Sequence, residues 1–111
     1  PVTVCEKALP ALAAIRFNAA GLAVPLDLRV GDARSLQNPD GTPALVADFV
    51  YLDPPFAEDI AEWIQRLAGC ARHTLVAEAR TGAAFPATAG SLPLDRTRKY
   101  GESTLAIYRA G

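Results

Sequence analysis

The sequence is poor in the residues that build disulfide frameworks and metal sites. Of its 111 residues only two are cysteines, Cys5 and Cys70, and its single histidine, His73, lies near the second of them. This spacing matches neither a zinc motif nor a set of disulfides. We therefore expect no metal site, and a reducing, cytoplasmic compartment.

Long apolar runs and an excess of charge of one sign are also absent. No stretch approaches the roughly 20 apolar residues that span a bilayer, and no basic segment followed by an apolar run indicates a signal peptide. We therefore expect no membrane association. The 11 basic and 12 acidic residues leave a formal net charge of −1, which argues against a protein that coats nucleic acid by bulk electrostatics. Any contact with nucleic acid must be local.

The chain does contain alternating strand and helix patterns. Half of the residues are apolar and the length suits one small domain, so we predict a single domain over residues 1–111. Apolar residues at helical spacing over 8–19 predict a helix, with Gly21 as its C-terminal cap. The other predicted elements are strands over 1–5, 26–30, 47–52 and 73–79 and a helix over 58–70.

The C-terminal part predicts a hairpin. Leu92–Tyr100 and Ser103–Arg109 are joined at Gly101-Glu102, a pattern typical of two antiparallel strands. Together with the alternating strands and helices, it predicts a Rossmann-like α/β sheet, mostly parallel, with helices on both faces and an antiparallel edge. The nearly continuous apolar run Ala47–Leu52 favours a central strand buried on both faces.

Ligands of such sheets bind outside the carboxyl ends of the strands. Glu6, Asp32 and the segment Asp53-Pro54-Pro55-Phe56 each follow a predicted strand. We therefore expect these residues to line one edge of the sheet.

The Asp53-Pro54-Pro55-Phe56 segment suits an exocyclic amine of a nucleobase, whose delocalised lone pair makes it a poor nucleophile. The Asp53 carboxylate and the Pro54 carbonyl, held outward by the two rigid prolines, can accept the two amine protons and direct the lone pair. Phe56 can stack on the base. The alternative is that the two prolines merely end a strand and Phe56 packs in the core.

Two stretches resemble a known family. The run DFVYLDPPF resembles motif IV of amino-methyltransferases, and the ending RKYGESTLAIYR resembles the RsmD family of 16S ribosomal RNA guanine-N2 methyltransferases. The similarity extends along almost all of the chain. It implies a class I methyltransferase sheet, S-adenosylmethionine as cofactor, ribosomal RNA or the small ribosomal subunit as partner, and a monomer when complete.

The resemblance also implies roles for weaker signals. Glu6 after VTVC resembles the acidic residue that binds the cofactor ribose, and Asp32 with Ala33 resembles the residues near the adenine amine. A dipole-favoured carboxylate at a helix start and an Asx-turn are the respective alternatives. Substrate RNA would contact Arg98, Lys99 and Tyr100, and the alternative there is a solvated edge strand.

One feature departs from the family. The glycine-rich loop after the first strand is absent, so the chain is expected to begin at the second strand and to lack its central strand. Amine methyltransferases acting on adenine or on a protein glutamine amide use the same motif and remain alternatives. A non-catalytic Rossmann-like binding module is the alternative from another class.

Overall fold

The computed structural model describes residues 2–6, 9–22, 26–30, 32–55 and 57–111. Contacts between residues divide the chain into two compact units, Pro1–Ser35 and Leu36–Gly111.

The first unit is a strand–helix–strand segment. It contains β1 (Val2–Glu6), α1 (Leu9–Leu22) and β2 (Leu26–Val30). The two strands are parallel and pair from Val2 with Leu26 to Glu6 with Val30, as expected for strands joined through a crossover helix. This order confirms the sequence prediction. The expected cap at Gly21 is wrong, because α1 continues through Gly21 to Leu22.

In its described residues, the second unit is a five-stranded sheet with one α-helix. A short 3₁₀ turn, Ala33–Leu36, leads into it. Its strands have the spatial order β3-β4-β7-β6-β5. In chain order the elements are β3 (Ala47–Leu52), α2 (Ile60–Leu67), β4 (Ala71–Arg80), β5 (Thr88–Ala89), β6 (Leu92–Tyr100) and β7 (Ser103–Arg109).

The strand directions correct one prediction. In this sheet β3 and β4 are parallel, whereas the described pairs β4–β7, β6–β7 and β5–β6 are antiparallel. The sheet is therefore mixed and not mostly parallel. The reason is the hairpin, because its two-residue loop reverses the chain and brings β7 back against β4 from the opposite direction.

The strand β3 has the predicted bounds but not the predicted environment. It is an outer strand of the described sheet, and the side chains of Phe49 and Tyr51 are 57% and 53% exposed. Leu52, which lies on the other face, is buried at 6% exposure. The prediction of burial on both faces is therefore wrong for the described part of the chain, where only the face that includes Leu52 is covered.

The core of the second unit lies between α2 and the sheet. The helix buries Ile60, Ile64 and Leu67 and packs on β4, where Leu75 and Ala77 are fully buried. It begins two residues later than predicted because Asp59 is its N-cap, whose side chain accepts a hydrogen bond of 3.0 Å from the Ala61 amide. Such caps satisfy an amide that the helix itself leaves unpaired.

Candidate active site

The predicted amine-binding segment lies at the carboxyl end of β3. The strand ends at Leu52, and Pro54 and Pro55 follow, which have no amide proton to continue the ladder. Pro54 is buried, whereas Asp53 and Pro55 are exposed. Phe56, the fourth predicted residue of this segment, lies outside the described residues.

Glu78 of β4 lies beside Asp53. The last paired residues of the two parallel strands are Leu52 and Ala77, so Asp53 and Glu78 follow side by side on the face that carries Tyr51. The Tyr51 hydroxyl donates a hydrogen bond to the Glu78 carboxylate. The carboxyl edge of these strands therefore holds two neighbouring carboxylates and a phenol.

Sequence reasoning missed Glu78. The available signal was a carboxylate within the apolar strand sequence HTLVAEA. A charged residue there is uncommon on a half-buried strand unless it has a partner. Its nearness to Asp53 depends on the register between β3 and β4, which the sequence does not give.

The two carboxylates influence each other and the phenol. Partial burial, followed by the negative charge of Glu78, raises the pKa of Asp53 above its ordinary value. The hydrogen bond to Glu78 is the largest cause that raises the pKa of Tyr51 to about 12, and burial and the nearby carboxylates add to it. Asp53 is therefore a stronger proton acceptor than a solvated aspartate, while Tyr51 stays protonated at neutral pH.

An open recess follows this edge. It has a volume of about 480 Å³ and lies between residues 57–60, which precede and begin α2, and residues 79–84, which end β4 and follow it. Glu58 and Arg80 supply charge to its lining. Glu58 is held in place by Trp63, whose indole Nε1 donates a 2.9 Å hydrogen bond to its carboxylate.

The tip of the β6–β7 hairpin lies at the same edge of the sheet. Arg80 at the end of β4 pairs with Ser103, and Ser103 pairs with Tyr100. The Thr81 amide donates a 2.7 Å hydrogen bond to the Glu102 carbonyl, and the Thr81 hydroxyl donates one of 3.1 Å to the Gly101 carbonyl. The loop that borders the recess is thus tied to the hairpin.

The structure separates the three predicted RNA-contacting residues. Arg98, Lys99 and Tyr100 are all exposed on β6, but side chains alternate along a strand. Arg98 pairs with Leu105 and Tyr100 with Ser103, which places both on the face of Glu78. Lys99 lies on the opposite face.

The predicted cofactor residues belong to the first unit. Glu6 ends β1 and pairs with Val30, so Glu6 and Asp32 come at the same edge of this strand pair; the Glu6 side chain lies outside the described part. The Asp32 carboxylate accepts a 2.9 Å hydrogen bond from the Arg34 amide. It also forms an ion pair with the Arg34 guanidinium. Asp32 therefore forms the Asx-turn that was the alternative interpretation, and Ala33 begins the 3₁₀ turn.

The remaining His, Cys, Asp and Glu side chains of the described residues give no sign of a metal site. Among the described residues no three His, Cys, Asp or Glu side chains converge as metal ligands would. Cys70 is buried, and its thiol is 3.6 Å from the Leu36 carbonyl. Within the same part of the chain no helix has the length and apolar character needed to cross a membrane.

Comparison with known families decides the relationship. The sequence model of the family described as Conserved hypothetical protein 95 matches residues 1–109. The chain belongs to this family. It is an RsmD-like family, so the resemblance seen in the residues of motif IV and the C-terminal hairpin is confirmed at the level of the family. No curated protein sequence matches the chain.

Solved structures share the fold. A conserved hypothetical protein of Streptococcus pyogenes superposes with a TM-score of 0.81 at 26% identity, covering 98% of this chain and 71% of that one. A candidate methyltransferase of Escherichia coli gives 0.72 at 22% identity, covering 96% and 60%. The rRNA methyltransferase AviRa of Streptomyces viridochromogenes gives 0.53 at 18% identity, covering 89% and 46%.

These likenesses confirm the predicted fold class. The chain has the α/β, Rossmann-like architecture of methyltransferase folds in partial form, and it spans 60% of the length of the Escherichia coli relative. At these identities the comparison with the two named methyltransferases concerns the fold alone.

Proposed function

We propose that the protein containing this chain transfers a methyl group from S-adenosylmethionine to the N2 amine of a guanine in small-subunit ribosomal RNA. The observation that carries the proposal is the Asp53-Pro54-Pro55 segment at the carboxyl edge of β3, in a chain of an RsmD-like family. The resemblance to the RsmD family, which acts on 16S ribosomal RNA, supports RNA as the substrate.

The segment suits an amine because it offers acceptors at a strand end. The Asp53 carboxylate is exposed, and the Pro54 carbonyl follows it on a backbone with two fixed φ angles. Each would accept one proton of the NH₂ group, which directs the nitrogen lone pair toward the methyl carbon and stabilises the positive charge that develops on nitrogen. Phe56 would stack on the base.

The open recess beside this segment gives a place for the base. Its volume of about 480 Å³ lies within the usual range of roughly 300–1,000 Å³ for small-molecule sites. Enzymes that act on a base take it out of the stack and bind it in such a pocket. In this proposal the base lies in this recess, and Arg80 contacts a phosphate of the same strand.

The acceptors of the first unit fit the adenosine part of the cofactor. Glu6 and Asp32 come at one edge of parallel strands, and carboxylates suit ribose hydroxyls and an adenine amine. Arg34 and the turn at Asp32 fix that carboxylate in one orientation. When bound, S-adenosylmethionine supplies the electrophilic methyl group.

Substrate RNA would meet the exposed hairpin. Arg98 and Tyr100 lie on one face of β6, so they suit a phosphate contact and base stacking respectively. With a net charge of −1, affinity would depend on a few such contacts and on the shape of the substrate, either free ribosomal RNA or a partly assembled small subunit. We propose that the complete protein acts as a monomer in the cytoplasm.

The test is transfer of a labelled methyl group by the natural full-length protein to naked DNA, ribosomal RNA and partly assembled small subunits. We expect labelled N2-methylguanine in ribosomal RNA, and no label with Asp53→Ala. Label on adenine or on protein glutamine would replace the proposed substrate. A folded protein that binds no S-adenosylhomocysteine in calorimetric titration would instead favour a non-catalytic module.

A further inference from the structure

Glu78 is the residue of the carboxyl edge for which the proposed function has no role. Its strand, β4, pairs with β3 on one side and β7 on the other. On β7 it faces Leu105, which offers its carboxylate no hydrogen-bond donor. On the β3 side it accepts the hydroxyl proton of Tyr51 and borders Asp53.

We propose that Glu78 is a positioning residue for Asp53: anchored by the Tyr51 hydroxyl, its carboxylate makes Asp53 a better acceptor for the proton that the methylated amine must lose. The inference rests on the proposed function, because it assigns Asp53 to the amine. It adds a residue that the amine-methyltransferase motif itself does not contain.

The chemistry requires such an acceptor. The amine nitrogen forms the new N–C bond with its lone pair while the S–C bond of the methyl donor breaks, and the sulfur leaves as a neutral thioether. The nitrogen then carries a positive charge and must release one proton. Asp53, already hydrogen-bonded to that nitrogen, is the nearest base, and the proton passes from it to solvent.

The geometry indicates that Glu78 assists this step in two ways. Its negative charge lies next to Asp53 because the paired register ends at Leu52 and Ala77. A negative charge beside a carboxyl group disfavours its ionised form and so raises its pKa. Burial and, after it, the charge of Glu78 raise the pKa of Asp53, which agrees with this arrangement. The same charge attracts the cationic nitrogen while it still holds its proton.

The other charged groups near this edge do not replace Glu78. Arg80 lies two residues further along β4, on the same face, and faces Ser103. Glu58 is held by Trp63, and Asp59 caps α2. On β6, Arg98 is separated from Glu78 by β7.

The first test measures the pKa of the Asp53 carboxyl directly, by carbon NMR of the natural full-length protein without cofactor, with the signal assigned by its loss in Asp53→Asn. Glu78→Gln keeps the shape and hydrogen-bonding capacity but removes the charge, so the pKa of Asp53 should fall toward its ordinary value. Glu62→Gln is the matched control, because it removes a charge from the exposed side of α2, where the Glu62 side chain is 66% exposed. An unchanged pKa of Asp53 in Glu78→Gln would overturn the proposal.

Tyr51→Phe keeps the Glu78 charge but removes its anchor, and it serves as a second variant if Glu78→Gln does not fold. Because the freed carboxylate can turn toward solvent, the pKa of Asp53 should fall here too, by less than in Glu78→Gln. No fall in either folded variant would refute the role of Glu78.

The second test is the pH dependence of methyl transfer. Since a weaker base is ionised at lower pH, Glu78→Gln should move the acidic limb of kcat to lower pH and reduce kcat at neutral pH roughly tenfold, with KM unchanged. A proportional loss at every pH with an unmoved limb would contradict the proposal. If the wild-type protein methylates no guanine, the proposed function fails, whereas the NMR result still decides whether Glu78 tunes Asp53.

Discussion

The Tyr108 hydroxyl donates a 2.8 Å hydrogen bond to the Pro86 carbonyl, which fastens the loop after β4 to strand β7. Tyr108 is fully buried. Tyr108→Phe should lower the free energy of unfolding by about 1 kcal/mol, measured by chemical denaturation. Tyr100→Phe, at a side chain that is 63% exposed, is the control and should have no measurable effect.

The same residue gives a prediction at alkaline pH. Burial raises the pKa of Tyr108 to about 12, against about 10 in an unfolded chain. Because the pKa of Tyr108 is higher in the folded chain, the contribution of its protonated hydroxyl to stability is complete below about pH 10. That contribution is lost as the pH rises toward 12. Tyr108→Phe should therefore show a shallower alkaline loss of stability. Parallel curves for wild type and variant would contradict this.

Replacing Asp53 by Asn should uncouple activity from stability. The amide cannot accept the amine's proton, so transfer should fall by roughly 100-fold or more. Because the folded pKa of Asp53 is raised, its protonated form stabilises the fold only at acidic pH, and that contribution is lost as the pH rises through the folded pKa. The variant should thus be more stable than wild type at neutral pH.

The stability difference between wild type and Asp53→Asn should vanish below about pH 3, where aspartate is protonated in both folded and unfolded chains. Thermal unfolding of the two proteins at neutral pH and below about pH 3 measures this difference. A variant that is less stable than wild type at neutral pH would show that the Asp53 charge supports the fold instead.

Arg98 and Lys99 form a matched pair for the proposed RNA contact. They are neighbours of equal charge, but Arg98 lies on the face of Glu78 and Tyr100 whereas Lys99 lies on the opposite one. Arg98→Gln should weaken RNA binding and reduce the slope of log K against log salt by about one. Lys99→Gln should have a smaller effect on RNA affinity and on this slope. Equal effects would indicate attraction by net charge alone, without a defined contact.

Ile64 tests the packing of α2 on the sheet. Its side chain has no exposed surface, so Ile64→Ala should lower the free energy of unfolding by about 2–5 kcal/mol through lost burial and the cavity left behind. The adjacent Gln65 is exposed, and Gln65→Ala should change stability by less than about 0.5 kcal/mol. Similar values for the two would mean that the helix does not pack as described.

Gly101 tests the hairpin to which the loop at the recess is hydrogen-bonded. Its φ of 58° lies in the left-handed region, where a side chain costs energy. Gly101→Ala should destabilise the protein by about 1 kcal/mol or more. Gly69→Ala is the control, because the added methyl group would make ordinary contacts of 3.6 Å or more with Pro43. Greater damage from the control would contradict the turn geometry.

The sequence by itself determined the local elements and the family. The strand Ala47–Leu52 and its end at two prolines were predicted with the observed bounds, because strand patterns and the missing proline donor act between neighbours in the chain. The hairpin strands Leu92–Tyr100 and Ser103–Arg109 were predicted correctly for the same reason. The motif at Asp53 and the C-terminal hairpin also sufficed to indicate an RsmD-like family.

Only the tertiary structure decided which side chains meet at the edge of the sheet. Asp53 and Glu78 are 25 positions apart in the sequence, and they are brought together by the register of β3 against β4. Likewise, β7 beside β4 made the sheet mixed and left β3 outermost among the described strands. Local sequence patterns constrain residues that are neighbours along the chain. Register and strand order depend on packing between distant segments, so the sequence alone could not place Glu78 next to Asp53.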